Sequence, residues 1–313
     1  MKVFVAGASG AIGKPLVAAL VAAEHEVIGM TSKDAGIKAL REKGAEGVMV
    51  NALDAEAVRA EIARIRPDAI IDELTSLPKR YTLEEMRKAA PRDRQIRLEG
   101  GGNLHKAEIE TGVKRYIVQS TGFFYGPGQG LASEEDPLAH EASPGVAGSV
   151  ATYTQIENRV FSSPGLAAIA LRYGFFYGPH TYHDPENGSI SEQVRQHQYP
   201  VIEPATGVFS FIHVEDAAAA TVAALEIRPG VYNIVDNDPV ALAIWLPAFA
   251  NFIGAPPPPQ ISDKAAIQSG GPDTVYYATQ LRGASNEKAK TEFGFAPRPL
   301  EWLKQGIDRR NCA

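Results

Sequence analysis

The chain has 313 residues, 44% of them hydrophobic and 22% charged, with 29 glycines, 22 prolines and a net charge of −6 from 31 Lys plus Arg against 37 Asp plus Glu. At roughly 150 residues per domain, this length bounds the protein at one large α/β unit or about two domains, and the core needs no disulfide or metal staple. The balance excludes collagenous, fibrous and disordered classes, and mild acidity with no long basic run argues against nucleic acid as a main partner. The single cysteine, Cys312, excludes an intrachain disulfide and a cysteine metal site, and reads as an exposed tail thiol in a reducing compartment. Pro15 to Ala23 is the best apolar stretch and is too short to span a bilayer. Gly7, Gly10, Gly13 and Lys14 break the N-terminal apolar segment, so neither a membrane partner nor a secretory signal is expected and the predicted location is cytoplasmic.

The apolar run Lys2–Ala6 ends in Gly-Ala-Ser-Gly and is followed by a helical pattern over 11–23 with Pro15 in its first turn. The alternation continues through strand 26–30, helix 35–43, strand 47–50, helix 55–65, strand 69–73, a long helical region over 92–111 and strand 115–119. Helix 152–161 and strands 167–171 and 231–235 complete it. Strands that alternate with helices and read as continuous apolar runs predict a Rossmann-like, doubly wound parallel sheet buried on both faces. After Gly178 the rhythm weakens, and the segments 179–207 and 237–313 are richer in Pro, Gly, His and Gln. The predicted organisation is therefore a dinucleotide-binding domain over 1–178, rejoined by 208–236, and a small discontinuous substrate-binding lobe from 179–207 and 237–313.

Gly7-Ala8-Ser9-Gly10-Ala11-Ile12-Gly13 lies between a strand and a helix. Without side chains the backbone there can turn tightly and approach a pyrophosphate, whose charge meets the helix N-terminus. The spacing Gly-x-x-Gly-x-x-Gly resembles the short-chain dehydrogenase/reductase superfamily. Further residues resemble its extended branch, the NAD-dependent epimerase/dehydratase family: Asn51-Ala52-Leu53-Asp54, Arg97-Leu98-Glu99-Gly100 with Asn103-Leu104, and Gln119-Ser120-Thr121 with Tyr125-Gly126. Leu171-Arg172 with Tyr177-Gly178-Pro179, Phe211-Ile212-His213-Val214-Glu215-Asp216-Ala217 and Tyr232-Asn233 extend the resemblance over nearly the whole chain. It implies cofactor contacts at the glycine turn (Gly7, Ser9, Gly10, Ala11, Ile12, Gly13), at Leu53 and the adenine-contacting Asp54, and at Leu74, Thr75, Ser120, Tyr173, Phe175 and Phe176. It also makes a homodimer plausible.

After the second strand an acid would bind a ribose 2′-hydroxyl, whereas a cation favours a 2′-phosphate. Thr31, Ser32 and Lys33 supply two hydroxyls and a cation, with no acid before Asp34, which points to NADP rather than NAD.

The superfamily usually carries Tyr-x-x-x-Lys on the helix after the fifth strand, where the ammonium lowers the tyrosine pKa and the phenol exchanges a proton with the substrate. No tyrosine of this chain has a lysine four residues on. In one alignment Glu157 is the acid that commonly follows the family lysine, placing Tyr153 at the lysine position and Ser149 at the tyrosine position. In the other, Tyr153 is the catalytic tyrosine and Glu157 replaces the lysine. Thr121 matches the hydroxyl that holds the substrate oxygen, so Thr121 and Tyr153 are the catalytic candidates. His140 reads as solvated, and His180 and His183 lack the carboxylate pattern of a metal site.

Nucleotide-sugar members of the branch hold the substrate diphosphate with an Asn and an Arg, whose matching positions here are Phe175 and Phe209. With Phe123, Phe124, Tyr125, Tyr173, Phe176 and Tyr177 these rings lie at strand C-terminal ends, where open α/β sheets bind ligands. The resulting expectation is an NADP-dependent reductase acting on the carbonyl or activated C=C of a small, mostly apolar or aromatic substrate. The alternatives are an NAD-dependent sugar-nucleotide epimerase/dehydratase and a non-catalytic NADP-binding regulator.

Overall fold

The computed structural model describes residues 1–303, so Cys312 lies outside the described residues. The elements are β1 (Lys2–Ala6), α1 (Gly13–Ala22), β2 (Glu26–Thr31), α2 (Asp34–Glu42), β3 (Glu46–Met49), α3 (Ala55–Ile65), β4 (Ala69–Asp72), α4 (Leu83–Gln95), a π-turn at Ile96–Gly100, and α5 (Gly101–Thr111). β5 (Arg115–Thr121), α6 (Pro144–Phe161), β6 (Ala167–Tyr173), β7 (Phe175–Tyr177), α7 (Ser189–Arg195), β8 (Val201–Ile202), β9 (Val208–Phe209), β10 (Phe211–His213), α8 (Val214–Ala223) and β11 (Gly230–Ile234) follow. The remainder is β12 (Val240–Ala241), α9 (Leu242–Phe252), β13 (Gln260–Ile261), α10 (Asp263–Gly270), α11 (Pro272–Thr279), α12 (Glu287–Phe293) and a 3-10 turn at Glu301–Leu303.

Two predicted helices change. The region over 92–111 is α4 and α5 joined by the π-turn, and α6 starts at Pro144 rather than near 152. Pro144 occupies the first helical turn, where its missing N–H leaves no bond unmade. Gly145 and Gly148 in the next turn hide the helical pattern from the sequence.

Seven parallel strands form the main sheet in the order β11-β6-β5-β4-β1-β2-β3. The alternation within β1 explains its unbroken apolar reading: Val3 and Val5 join a core with Leu16, Leu20, Ala217 and Ile234, while Phe4 and Ala6 join one with Ile62, Leu104 and Ile156 on the other face. Both faces are covered by helices, so no position of the strand is left for water. The order reverses at β1, between β2 and β4, which opens a crevice at the strands' C-terminal ends. Three two-stranded pairs, β7 with β10, β9 with β12 and β8 with β13, frame another core around Phe211, Trp245, Phe249, Tyr276 and Trp302. Phe124, Val146 and Val150 belong to this core as well, which brings it against the ends of β5 and α6. Among the described residues, no helix is long and apolar enough to cross a membrane.

Candidate active site

The turn after β1 divides its glycines by role. Gly7 has a φ of +81°, and a Cβ there would stand 2.4 Å from the Glu73 carbonyl oxygen. At Gly13 it would stand 2.2 Å from the Gly7 carbonyl oxygen, whereas at Gly10 it meets only that same oxygen, at 3.2 Å. Gly7 and Gly13 are thus required by the turn itself, and Gly10 keeps the space above it open. The Gly10 N–H donates to the Gly7 carbonyl at 2.9 Å, and those of Ala11 and Ile12 have no protein acceptor among the described residues. Ser9 and Gly10 are exposed. Free N–H groups at a helix start, beneath an open glycine, fit a pyrophosphate.

At the end of β2, Thr31 Oγ1 accepts the Lys33 N–H at 3.3 Å. The side chains of Ser32 and Lys33 are exposed, and Lys33 forms no ion pair among the described residues. Asp54 caps α3 by accepting the Ala57 N–H at 3.0 Å, and Leu53 beside it is half-buried. The Leu74 N–H donates to Asp72 Oδ1 at 3.2 Å, leaving Thr75 half-buried at the crevice side of β4. Tyr173 is turned into the core: its hydroxyl donates to Glu73 Oε1 at 3.0 Å and lies 2.6 Å from Thr221 Oγ1. Burial pushes the Glu73 carboxyl up to about 8, which favours its uncharged form beneath the glycine turn.

At the catalytic end the structure shows what Glu157 holds. Glu157 binds Arg172 through both oxygens, at 2.8 Å and 2.7 Å, and accepts the Ser120 hydroxyl at 2.6 Å. Arg172 also donates to the Tyr125 hydroxyl at 2.9 Å, which in turn donates to Asn233 Oδ1 at 2.6 Å. The landmarks Ser120, Tyr125, Arg172 and Asn233 are therefore one buried network. Glu157 is its anion and does not replace a lysine beside Tyr153. Removing one member of such a pair costs about 3–5 kcal/mol. Ser149, which one of the two alignments places at the family tyrosine position, donates to the Gly145 carbonyl within its own helix at 3.0 Å.

The cation beside Tyr153 comes from elsewhere. Arg97, in the π-turn, places its guanidinium 5.2 Å from the Tyr153 ring centroid. Its Nε donates to Asp93 Oδ2 at 2.8 Å and its Nη1 to Gln119 Oε1 at 3.3 Å. Burial raises the Tyr153 phenol pKa, and the Arg97 charge pulls it back down. The Tyr153 hydroxyl makes no hydrogen bond among the described residues, and neither does the buried Thr121 Oγ1. Two hydroxyls without partners among the described residues thus lie at the C-terminal end of β5 and midway along α6. Sequence spacing had no means of finding Arg97, because the π-turn that delivers it lies on a different helix.

Around them the rings close up. Phe123 stacks on Phe175 at 4.0 Å, Phe175 tilts against Phe209 at 4.9 Å, and Phe124 lies 6.3 Å from Tyr153. Phe176 is half-buried against Tyr173 at 5.2 Å. His140 is exposed. His183 is packed among aromatic rings, with burial pushing it down to about 4, and among the described residues no cluster of His, Cys, Asp or Glu is placed to hold a metal.

A Rossmann-like sheet, a pyrophosphate-type turn and unpaired hydroxyls at the end of β5 and on the middle of α6 define an NAD(P)-dependent oxidoreductase. The chain belongs to the NAD dependent epimerase/dehydratase family, whose profile matches residues 3–234. It is 36% identical over 313 residues to a 3-diazoavenalumate denitrifying reductase from a Streptomyces species, covering 99% of this chain and 100% of the relative. The UDP-glucose 4-epimerase of Thermus thermophilus, solved with NAD, superposes with a TM-score of 0.72 at 25% identity, covering 96% of each chain. That of Thermotoga maritima, solved with UDP-glucose, shares the fold with a TM-score of 0.75 at 20% identity, over 96% of this chain and 95% of the other.

Proposed function

We propose that the protein is an NADPH-dependent reductase that delivers hydride to the carbonyl or activated C=C of a small, mostly apolar, aromatic substrate. One observation carries the substrate class. The Phe175 ring lies 4.0 Å from Phe123 and 4.9 Å from Phe209, so rings fill both positions where a nucleotide-sugar site needs an Asn and an Arg. A diphosphate desolvated there without partners would cost several kcal/mol.

In this reading Ala11 and Ile12 hold the pyrophosphate, and the exposed Ser32 and Lys33 take the 2′-phosphate, with Leu53, Asp54, Leu74 and Thr75 along the crevice. Bound NADPH supplies the hydride. Thr121 and Tyr153 hold the substrate oxygen, and the Tyr153 hydroxyl gives its proton to that oxygen as hydride reaches the carbon. Arg97 steadies the phenolate left behind. Residues 1–178 with 208–236 serve the cofactor, and 179–207 with 237–303 cover the substrate.

A second reading is favoured by the 36% identity to the denitrifying reductase: reductive loss of a diazo group. Hydride adds to the ring carbon that carries dinitrogen, the carbon–nitrogen electron pair leaves with N2, and an aryldiazonium ion becomes the arene. No proton reaches a substrate oxygen in that step, which fits a chain without the tyrosine–lysine pair.

The test is NADPH absorbance followed against aromatic enals, enones, aryldiazonium salts and UDP-glucose. Stoichiometric NADPH loss with an enal or enone supports the first reading, and loss with N2 release from the diazonium salt alone supports the second. Conversion of UDP-glucose without net redox, or no NADPH loss with any of them, overturns both.

A further inference from the structure

Glu73 follows β4 directly and lies alongside the glycine turn. Its N–H donates to the Ala6 carbonyl at 3.0 Å, and a Cβ added at Gly7 would stand 3.3 Å from the Glu73 Cβ. From there its side chain reaches Tyr173, which in turn meets Thr221, and all three residues are buried. Tyr173 is the register partner of Thr121 across β5 and β6, so the carboxyl links the glycine turn to the strand pair that carries Thr121.

Three short contacts run on from the carboxyl: Glu73 Oε1 to Tyr173 Oη at 3.0 Å, Tyr173 Oη to Thr221 Oγ1 at 2.6 Å, and Thr221 Oγ1 to the Ala217 carbonyl oxygen at 2.7 Å. Tyr173 and Thr221 bring one hydroxyl proton each, and the Ala217 carbonyl only accepts. With Glu73 ionised, Tyr173 donates to it and Thr221 donates to Tyr173, which leaves the last contact as two acceptors facing each other. A proton on Glu73 Oε1 supplies the third donor and reverses the row, so that every contact is made. Glu73 Oε2 is buried with no hydrogen-bond partner among the described residues, a cost far smaller for a neutral carbonyl oxygen than for a carboxylate. Burial pushes this carboxyl up to about 8, opposed by the Tyr173 hydroxyl on β6, reinforced by the neighbouring Asp72 and opposed again by Arg97 in the π-turn. Arg97 is itself engaged by Asp93 at 2.8 Å.

We propose that Glu73 makes cofactor affinity depend on a proton: its neutral form leaves the glycine turn open to the pyrophosphate of the dinucleotide, and its ionised form, a negative charge buried beside that turn, repels it. Charges in a poorly solvated site act on one another far more strongly than in water, so one unpaired carboxylate there weighs against an anion bound to the N–H groups of Ala11 and Ile12. This rests on the dinucleotide reading of the turn and is independent of the substrate and of the reaction.

The test is calorimetric titration of NADPH and of NADH into the wild type and Glu73→Gln from about pH 6 to about pH 9.5. Both cofactors carry the pyrophosphate and only one carries the 2′-phosphate, so a change shared by the two reports the turn. Wild-type affinity should hold level to about pH 7 and fall about ten- to thirtyfold by about pH 9.5 for both cofactors, as the binding-competent neutral form is depleted. Glutamine keeps the shape of the acid and offers Tyr173 an N–H donor but has no proton to lose, so the affinity of this variant should change less than about threefold over the same range. Should Glu73→Gln fail to fold, as read from its melting, Tyr173→Phe decides. It removes the hydrogen bond that favours the carboxylate, and the midpoint of the decline should move up by roughly half to one pH unit. A level wild-type profile, a decline that survives in Glu73→Gln, or a midpoint unmoved by Tyr173→Phe overturns the proton dependence and leaves the dinucleotide reading standing. Binding of neither cofactor at any pH overturns both.

Discussion

The glycine turn after β1 and the β5–α6 edge belong to the same end of one sheet, yet they reach function by opposite routes. At the turn, the proposed cofactor contacts come from missing side chains and the N–H groups of Ala11 and Ile12, which have no acceptor among the described residues, all within one short stretch of chain. At the edge the proposed chemistry comes from side chains delivered by separate elements: Thr121 from β5, Tyr153 from α6 and Arg97 from the π-turn. A contiguous device is kept whole by its own backbone sterics. A composite one can, in the proposed reading, do without the lysine and take its cation, Arg97, from another helix.

The strongest way to break this contrast is to separate the glycines. Gly10→Val should abolish NADPH binding in calorimetry and leave the melting temperature essentially unchanged, because its Cβ meets only one oxygen at 3.2 Å. Gly13→Val places a Cβ 2.2 Å from the Gly7 carbonyl and should instead cost stability, about 1–3 kcal/mol or more as in other overpacked sites. Binding retained by Gly10→Val, or a melting loss equal to that of Gly13→Val, would show that the turn has no ligand-facing member.

Next in size is Tyr153→Phe. If the phenol gives its proton to a substrate oxygen, kcat on an aromatic carbonyl should fall by about 10²–10⁴ with NADPH binding unchanged. On an aryldiazonium substrate the same variant should stay within a few-fold of wild type, since no oxygen is protonated. Steady-state kinetics on both substrates therefore reads which chemistry the composite edge performs.

The same contrast governs how much was legible in the sequence. The strand–turn–helix of residues 2–22 and the sheet that follows could be read because each signal is local: apolar runs, glycines at fixed spacing, Asp54 before its helix. Glu157 was legible as an acid but not as a partner, because spacing along α6 cannot reveal that Arg172 on β6 holds both of its oxygens. Arg97 was visible only as a family landmark, since a π-turn carries no sequence signature that aims its side chain.

The smallest expected effect sharpens the contrast from the contiguous side. Lys33 is exposed and forms no ion pair among the described residues, and it stands two residues from the buried Thr31. A charged hydrogen bond to a 2′-phosphate is worth about 1.5–3 kcal/mol, and solvent exposure places this one near the low end. Lys33→Ala should therefore weaken NADPH about tenfold and leave NADH unchanged, as measured by quenching of intrinsic fluorescence. The effect should shrink as salt is raised, since an exposed cation is screened over roughly 8–10 Å at physiological ionic strength. If both cofactors weaken together, Lys33 only steadies the start of α2, and the hydroxyls of Thr31 and Ser32 are then left to discriminate. NADH binding more tightly than NADPH to the wild type would remove the 2′-phosphate from the argument and return the turn to the NAD of its structural relatives.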